Sequence, residues 1–252
     1  MNKVKNKLYL RDDFAQHFNF IYASTNELRR EAYQIRLNSK GHIESPLSEF
    51  EKSKMVIDQY DTHSRHLLLQ NKDTKEFAAC VRIIEPSPQQ DNGRLPFEKG
   101  QENIWVSGSP IDTLPRQSFS EMSRLTLSET YLQKNGVYTD KTKITLGLTL
   151  AAYSLARLLF HDSMFAELSI EIFKKLRANG LLFEQASGGL LRMENNEQKS
   201  IFCINLGTGI SPANPVYELQ QHILNEVAHQ LNIPLVHDAD EQHTPPNEIH
   251  SA

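Results

Sequence analysis

A chain of 252 residues, 39% apolar and 23% charged, has the make-up of a soluble globular protein and is long enough to bury a substantial core. Its formal net charge of -4 gives no whole-protein case for nucleic-acid binding. Cys80 and Cys203 lie in the apolar runs FAACVRII and SIFCINL, which read as buried free thiols suited to a reducing cytoplasm.

The N-terminus, MNKVKNKLYLRDD, lacks the long apolar core of a signal peptide. Ser24 and Glu27 have capping-box spacing, so a helix is expected from about Thr25 to Leu37. Ser45-Pro46 can open a second helical stretch. The segment from Lys54 to Asp61 leads into a strand over His66 to Gln70. A polar turn, Asn71 to Lys75, then joins it to a second strand over Phe77 to Glu85, predicting a hairpin.

Pro86 to Pro115 holds five prolines and the sole tryptophan, Trp105, and reads as a long surface excursion. A strand resumes over Ser120 to Ser128. From Ile144 the apolar positions 144, 148, 151, 155 and 158 repeat at helical spacing. That stretch, ITLGLTLAAYSLARLLF, contains Arg157 and is too short and amphipathic for a membrane span, so a buried helix is expected and no transmembrane segment. Met164 to Leu168 reads as a strand, and Ser169 as the cap of a helix ending at Gly180. Leu181 to Ala186 and Ser200 to Leu206 read as a closing strand pair around a turn at Glu194 to Lys199, before a last helix over Val216 to Leu231. The expectation is one α/β (α+β) domain over residues 1–236 on a mostly antiparallel sheet, with a polar, disordered tail at 237–252. No GxGxxG or GxxxxGK[ST] is present.

Charges sit where core is expected. Arg29 and Tyr33 fall in LRREAYQIRL, Asp58 and Asp61 in IDQYD, Arg82 in ACVRII, and Glu121, Ser123 and Arg124 in EMSRLTLS. A charge on an apolar element is costly unless it is paired or used. Such a cluster is either an ion-pair network pinning a helix to the sheet or a site for an ionic substrate with a tuned base. Glu121 and Arg124, three apart on one strand, point to opposite faces unless a bulge intervenes. Asp58 and Asp61 share a face only if their stretch is a helical turn. His63 and His66 lack the partners that would complete a metal set.

The four phrases, in order and in register over roughly residues 25 to 130, resemble the acyl-homoserine-lactone synthase (autoinducer synthase) family. The resemblance implies a GNAT-like acyltransferase fold, no permanently bound cofactor, and acyl transfer to an amine. The donor would be an acyl-phosphopantetheine thioester on acyl-carrier protein, or acyl-CoA. It implies Glu121 as general base, Ser123 near the reacting acyl group, and Arg29, Tyr33, Asp58, Asp61, Arg82 and Arg124 at the acceptor end.

S-adenosylmethionine is the family's acceptor. Here, however, the family's tryptophan ten residues after the first Arg is replaced by Ser39. The second half, with GLLFEQASGG, is more similar to acyltransferases associated with PEP-CTERM/exosortase systems and to N-acyl amino acid synthases, whose acceptors include ordinary amino acids. The phosphate-binding Q/R-x-x-G-x-G/A loop of ordinary GNAT enzymes is missing from ETYLQKNGVYTDKTK, which favours a carrier-protein donor. Lys141, Lys143, Arg157, Lys174, Lys175 and Arg177 are candidates to meet that acidic carrier. Leu146, Leu150, Tyr153, Phe165 and Phe173 are either core or acyl-tunnel residues. A lactone synthase proper and a non-catalytic acyl sensor are the alternatives.

Overall fold

The computed structural model describes residues 14–39, 56–89, 93–99, 104–106, 109–135, 141–186, 192–194, 197–207 and 209–235. The stretch opened by Ser45-Pro46 and the tail at 237–252 lie outside the described residues.

The first described strand, β1 (Phe18–Tyr22), is one the sequence does not predict; it is followed by helix α1 (Asn26–Ser39). Thr25, not Ser24, caps this helix: its Oγ1 accepts the Leu28 N–H at 3.3 Å. Strands β2 (Ser64–Asn71) and β3 (Phe77–Ile84) form the expected hairpin. Asn71 closes its turn, with Oδ1 accepting the N–H groups of Asp73 and Thr74 at 2.9 Å each.

After the two-residue strands β4 (Trp105–Val106) and β5 (Ser109–Pro110) come β6 (Phe119–Leu127), α2 (Glu129–Asn135) and α3 (Lys141–Leu158). Then follow β7 (Ser163–Ser169), α4 (Ile170–Ala178) and β8 (Glu184–Gln185). The last elements are β9 (Arg192–Glu194), β10 (Glu197–Asn205) and α5 (Tyr217–Leu231). Ser169 caps α4 as expected, its Oγ accepting the Ile172 N–H at 3.3 Å. The closing strands differ from expectation: β10 begins at Glu197 and pairs with β9 near its start and with β8 near its end.

The main sheet runs β1-β2-β3-β6-β7-β10-β8, with β9 also on β10. Its ladders are antiparallel except β6–β7, which is parallel. The parallel pairing is short, from Phe119↔Ser163 to Met122↔Ala166. Beyond it β6 and β7 part, leaving a wedge in the middle of the sheet.

Both faces are buried. On one, Leu67, Val81, Ile83, Met122 and Met164 pack under α3 and α5. On the other lie two separate apolar clusters. Leu68 and Cys80 sit under Ala32 and Ile35 of α1, while Ile84, Phe119 and Phe165 sit under Leu95, Phe97, Ile104 and Ile111. The segment from 86 to 115 is therefore not a surface excursion in its described parts. Four apolar side chains draw it onto the sheet, because leaving them in water would forfeit about 1.5–3 kcal/mol each.

Helix α5 closes the sheet's first edge. Glu226 Oε1 accepts the Phe20 N–H at 3.2 Å, and Gln230 Oε1 accepts the Tyr22 N–H at 2.7 Å. Outward backbone groups of an edge strand are thereby satisfied. On α3, Gly147 makes room for Phe14, whose ring stands 2.5 Å from where a Cβ would be. Gly147→Ala is expected to destabilise the fold by about 1–3 kcal/mol, since overpacking outweighs alanine's helix preference. Urea unfolding checks it; a stabilised variant would show that Phe14 is not held there.

Candidate active site

Strand β3 shows how the charges enter the core. Ala79, Val81 and Ile83 face α3, while Cys80, Arg82 and Ile84 face the other way. Cys80 belongs to the cluster under α1 and Ile84 to the cluster under residues 95–111. Arg82, 2% exposed, lies in the polar seam between them.

Its partners come from a 3₁₀ turn, Gln59–His63, capped by Asp58. Asp58 Oδ1 accepts the Tyr60 N–H at 3.0 Å, and Asp61 Oδ2 accepts the Asp58 N–H at 2.9 Å. This reciprocal cap is the helical turn that puts both aspartates on one face. Arg82 Nη1 then donates to Asp58 Oδ1 at 2.7 Å and lies 3.0 Å from Asp61 Oδ1, while its Nε donates to Ser123 Oγ at 2.9 Å.

Arg124 joins the same seam because β6 bulges. Arg82 pairs with Ser123 and Cys80 with Thr126, so Arg124 and Leu125 together oppose the single Val81. Arg124 has φ 52°, a left-handed conformation costing about 1–3 kcal/mol for a side chain of this kind. The extra residue turns Arg124 toward the turn, where Nη2 meets Asp58 Oδ2 at 3.1 Å. It sits just past the last β6–β7 pair, so bulge and wedge begin together.

Two members of the network were missed in the sequence. Arg36 of α1 is 2% exposed, donates to Asp61 Oδ1 at 2.9 Å and contacts His66 Nδ1 at 2.9 Å. A guanidinium only donates, so His66 Nδ1 must accept and its proton resides on Nε2, 3.5 Å from Asp61 Oδ1. Burial, then the Arg36 charge, push His66 down to about 3, keeping it neutral. The signal for Arg36 was its place three residues after Tyr33, on the helix face that also buries Ala32.

Burial alone would raise the two aspartates. The bonds and charge of Arg82, with Arg124, prevail at Asp58 and hold it at about 2. The charges of Arg36 and Arg82 likewise lower Asp61.

Tyr33 packs edge-on to His66, 5.6 Å between ring centroids. One turn earlier, Arg29 lines with it an open pocket of about 360 Å³, whose walls include Ile57, Asp61 and Thr62. Arg29 Nε is buried there without a hydrogen-bond partner among the described residues. Among the described residues, four guanidinium groups (Arg29, Arg36, Arg82, Arg124) thus gather around two carboxylates (Asp58, Asp61). A larger cavity of about 480 Å³, lined by Tyr153, Gly180, Leu182, Ile204 and Asn214 among others, holds no part of this network.

Glu121 lies apart from the ion pairs but on the same face, two residues before Ser123. It is 4% exposed, and Oε2 accepts the Phe97 N–H at 3.0 Å. Burial pushes it up to about 8, against that hydrogen bond and the Arg82 charge; Glu167 and Glu98 push it further the same way. Glu98 in turn fixes the covering segment: Oε2 accepts the Leu95 N–H at 2.7 Å and Oε1 takes Arg116 at 2.8 and 2.9 Å.

The predicted residues thus form two neighbouring groups on one sheet face, an arginine-rich seam and a buried carboxyl, both beside the wedge. Of the expected tunnel residues, Leu146, Leu150 and Tyr153 are buried in the main core, Phe165 stacks on Phe97 in the second cluster, and Phe173 stacks on Phe202.

Residues 28–139, which contain all the predicted site residues, match the family described as acetyltransferase (GNAT) domain. The solved AHL synthase LasI is similar, with TM-score 0.54 and 15% identity over 81% of this chain and 95% of that one. TofI, in a ternary complex with an inhibitor and MTA, gives TM-score 0.54 and 16% identity over 80% and 95%. The fold is GNAT-like. No curated protein matches the chain. In the GNAT fold seen here the bulged strand and the wedge are β6 and β6/β7, and the domain match with the shared fold supports an acyltransferase.

Proposed function

We propose that this chain is an N-acyltransferase that moves a fatty acyl group from acyl-carrier protein, or from acyl-CoA, to the amine of a small amino-acid-like acceptor. The observation that carries this reading is the charge imbalance of the seam beside a protonatable carboxyl. A network serving only to fasten α1 would be near balance, whereas two guanidinium groups in excess suit an acceptor carboxylate.

On this reading Arg29, Tyr33, Asp58, Asp61, Arg82 and Arg124 bind and orient the acceptor, Arg29 and Arg124 directly. Ser123 lies beside the thioester carbonyl, which enters through the wedge. The amine nitrogen attacks that carbon, Glu121 takes the nitrogen's proton, and the C–S bond breaks as the proton passes to the sulfur. A backbone N–H on β6 is the simplest oxyanion donor. The reaction needs no resident cofactor. Basic side chains such as Lys141, Lys143 and Lys174 would receive an acidic carrier. Acyl donors of this kind would be met in the cytoplasm, and on this reading the resemblance of the second half of the sequence would associate the chain with PEP-CTERM/exosortase systems. Among the described residues no helix is long and apolar enough to cross a membrane.

A second reading, lactone synthesis from S-adenosylmethionine, is favoured by the fold shared with LasI and TofI. Mass spectrometry of lipids from cells expressing the chain is expected to show a new N-acyl compound. Incubation with labelled S-adenosylmethionine and acyl-carrier protein separates the readings, since methylthioadenosine release accompanies lactone formation alone. Bound acyl chains without turnover on any amine would instead mark a sensor.

A further inference from the structure

The acyltransferase reading leaves one end of the acceptor unassigned. An amino acid brings a carboxylate, which the arginines can hold, and an ammonium, which they repel. Something of opposite charge must dock the nitrogen near the thioester.

Register supplies a candidate. Glu121 pairs with Phe165 across the parallel ladder, and Met122↔Ala166 is its last pair. Glu167 is therefore the first β7 residue past the seam on the Glu121 face, opposite Ser123 across the wedge. Its neighbour on β10 is Ile201, which shares a cluster with Phe165 and confirms the face. Strand β7 is central in the sheet, and Met164, Phe165, Ala166, Leu168 and Ser169 are all buried. Glu167 alone among the residues after Ser163 is exposed. A solvent-exposed carboxylate in the middle of a central strand means that no described residue covers the face there. It marks the mouth of the site, and no hydrogen bond or ion pair among the described residues calls for a charge at that position.

Resting on that reading, we propose that Glu167 is the ammonium-docking residue: it selects acceptors carrying a protonated amine and delivers the nitrogen to the thioester, within reach of Glu121. Among the described residues, the charged groups acting on Glu121 are Arg82 from β3, Glu98 from the covering segment, and Glu167 from β7. Docking of an ammonium between two carboxylates also favours the ionised Glu121 that the reaction requires. Of the ammonium's three protons, one passes to solvent at the exposed mouth to free the lone pair, one is taken by Glu121 on attack and passes to the leaving sulfur, and one stays on the amide.

Glu167→Gln tests this. The acceptor is the best substrate from a panel of the standard L-amino acids and S-adenosylmethionine, with decanoyl-carrier protein as donor. The variant is expected to raise the acceptor KM about 10-fold or more while kcat changes less than about 3-fold, the mark of lost ground-state binding. An unchanged KM in the variant, where the wild-type enzyme does turn over, overturns the proposal and leaves the acyltransferase reading standing. A wild-type protein with no turnover on any amine sinks that reading instead. Independently of activity, the pH-dependent loss of stability governed by Glu121 should end at lower pH in the variant, since a repelling charge has gone. If that window does not move, Glu167 is not beside Glu121 and the proposal fails.

Discussion

Glu121→Gln is expected to cut acyl transfer by about 100-fold or more, the scale of lost general-base catalysis, and to leave the fold intact. The side chain is buried with its oxygen on the Phe97 N–H, a bond that glutamine can keep. The wild-type rate, as kcat/KM, should rise with pH through a midpoint near about 8, because burial holds the proton on Glu121 below that pH.

Stability should run the opposite way. Between its ordinary value of 4.5 and about 8 the folded chain holds a proton that the unfolded chain has lost. Stability therefore falls as pH rises through that window, by up to about 1.4 kcal/mol per pH unit. The glutamine variant removes this slope. Urea unfolding from pH 5 to 9 and rate profiles over the same range measure both effects. Turnover of Glu121→Gln at the wild-type rate would remove Glu121 from the mechanism.

Asp61→Asn is expected to be the most destabilising single change in the seam, at about 3–5 kcal/mol, the cost of stranding buried charge. Asp61 serves two guanidinium groups, Arg36 at 2.9 Å and Arg82 at 3.0 Å, and all three side chains are 2% exposed. It also accepts the Asp58 N–H and so closes the 3₁₀ turn. Asp58→Asn should cost much less, because that side chain is 28% exposed and water can reach Arg124. Chemical denaturation of the two variants near pH 7 makes the comparison. Equal small losses would mean that the seam does not fasten the turn to the sheet.

What the sequence made legible was whatever depends on short range. The β2–β3 hairpin followed from alternation around Asn71 to Lys75, α3 and α5 from apolar spacing, and the α4 cap from Ser169. The aspartate turn was posed as a condition, and the bulge as another; the structure meets both. What lay beyond reach depended on partners far along the chain. Strand β1 exists because β2 and the α5 side chains Glu226 and Gln230 complete its hydrogen bonds. Arg36 counts as polar on a helical wheel, so its place on the Ala32 face is only a hint, and Asp61 and His66 standing opposite explain its burial. The segment after Pro86 looked like a loop because prolines punctuate it, yet Leu95, Phe97, Ile104 and Ile111 make it a lid of the core. No glycine announces the bulge: Arg124 itself takes the left-handed conformation.

That single inserted residue ties two properties together. It swings a guanidinium toward Asp58 and lies two residues past the last β6–β7 pair, where the wedge opens. On the proposed reading, recognition of one reactant and space for the other are thus inherited as a package. Sequence drift around Ser123 and Arg124 cannot retune one without moving its counterpart, so diversity of acceptors in such a scaffold should arise at the outer walls, around Arg29, Tyr33 and Ile57, while the kinked strand stays fixed.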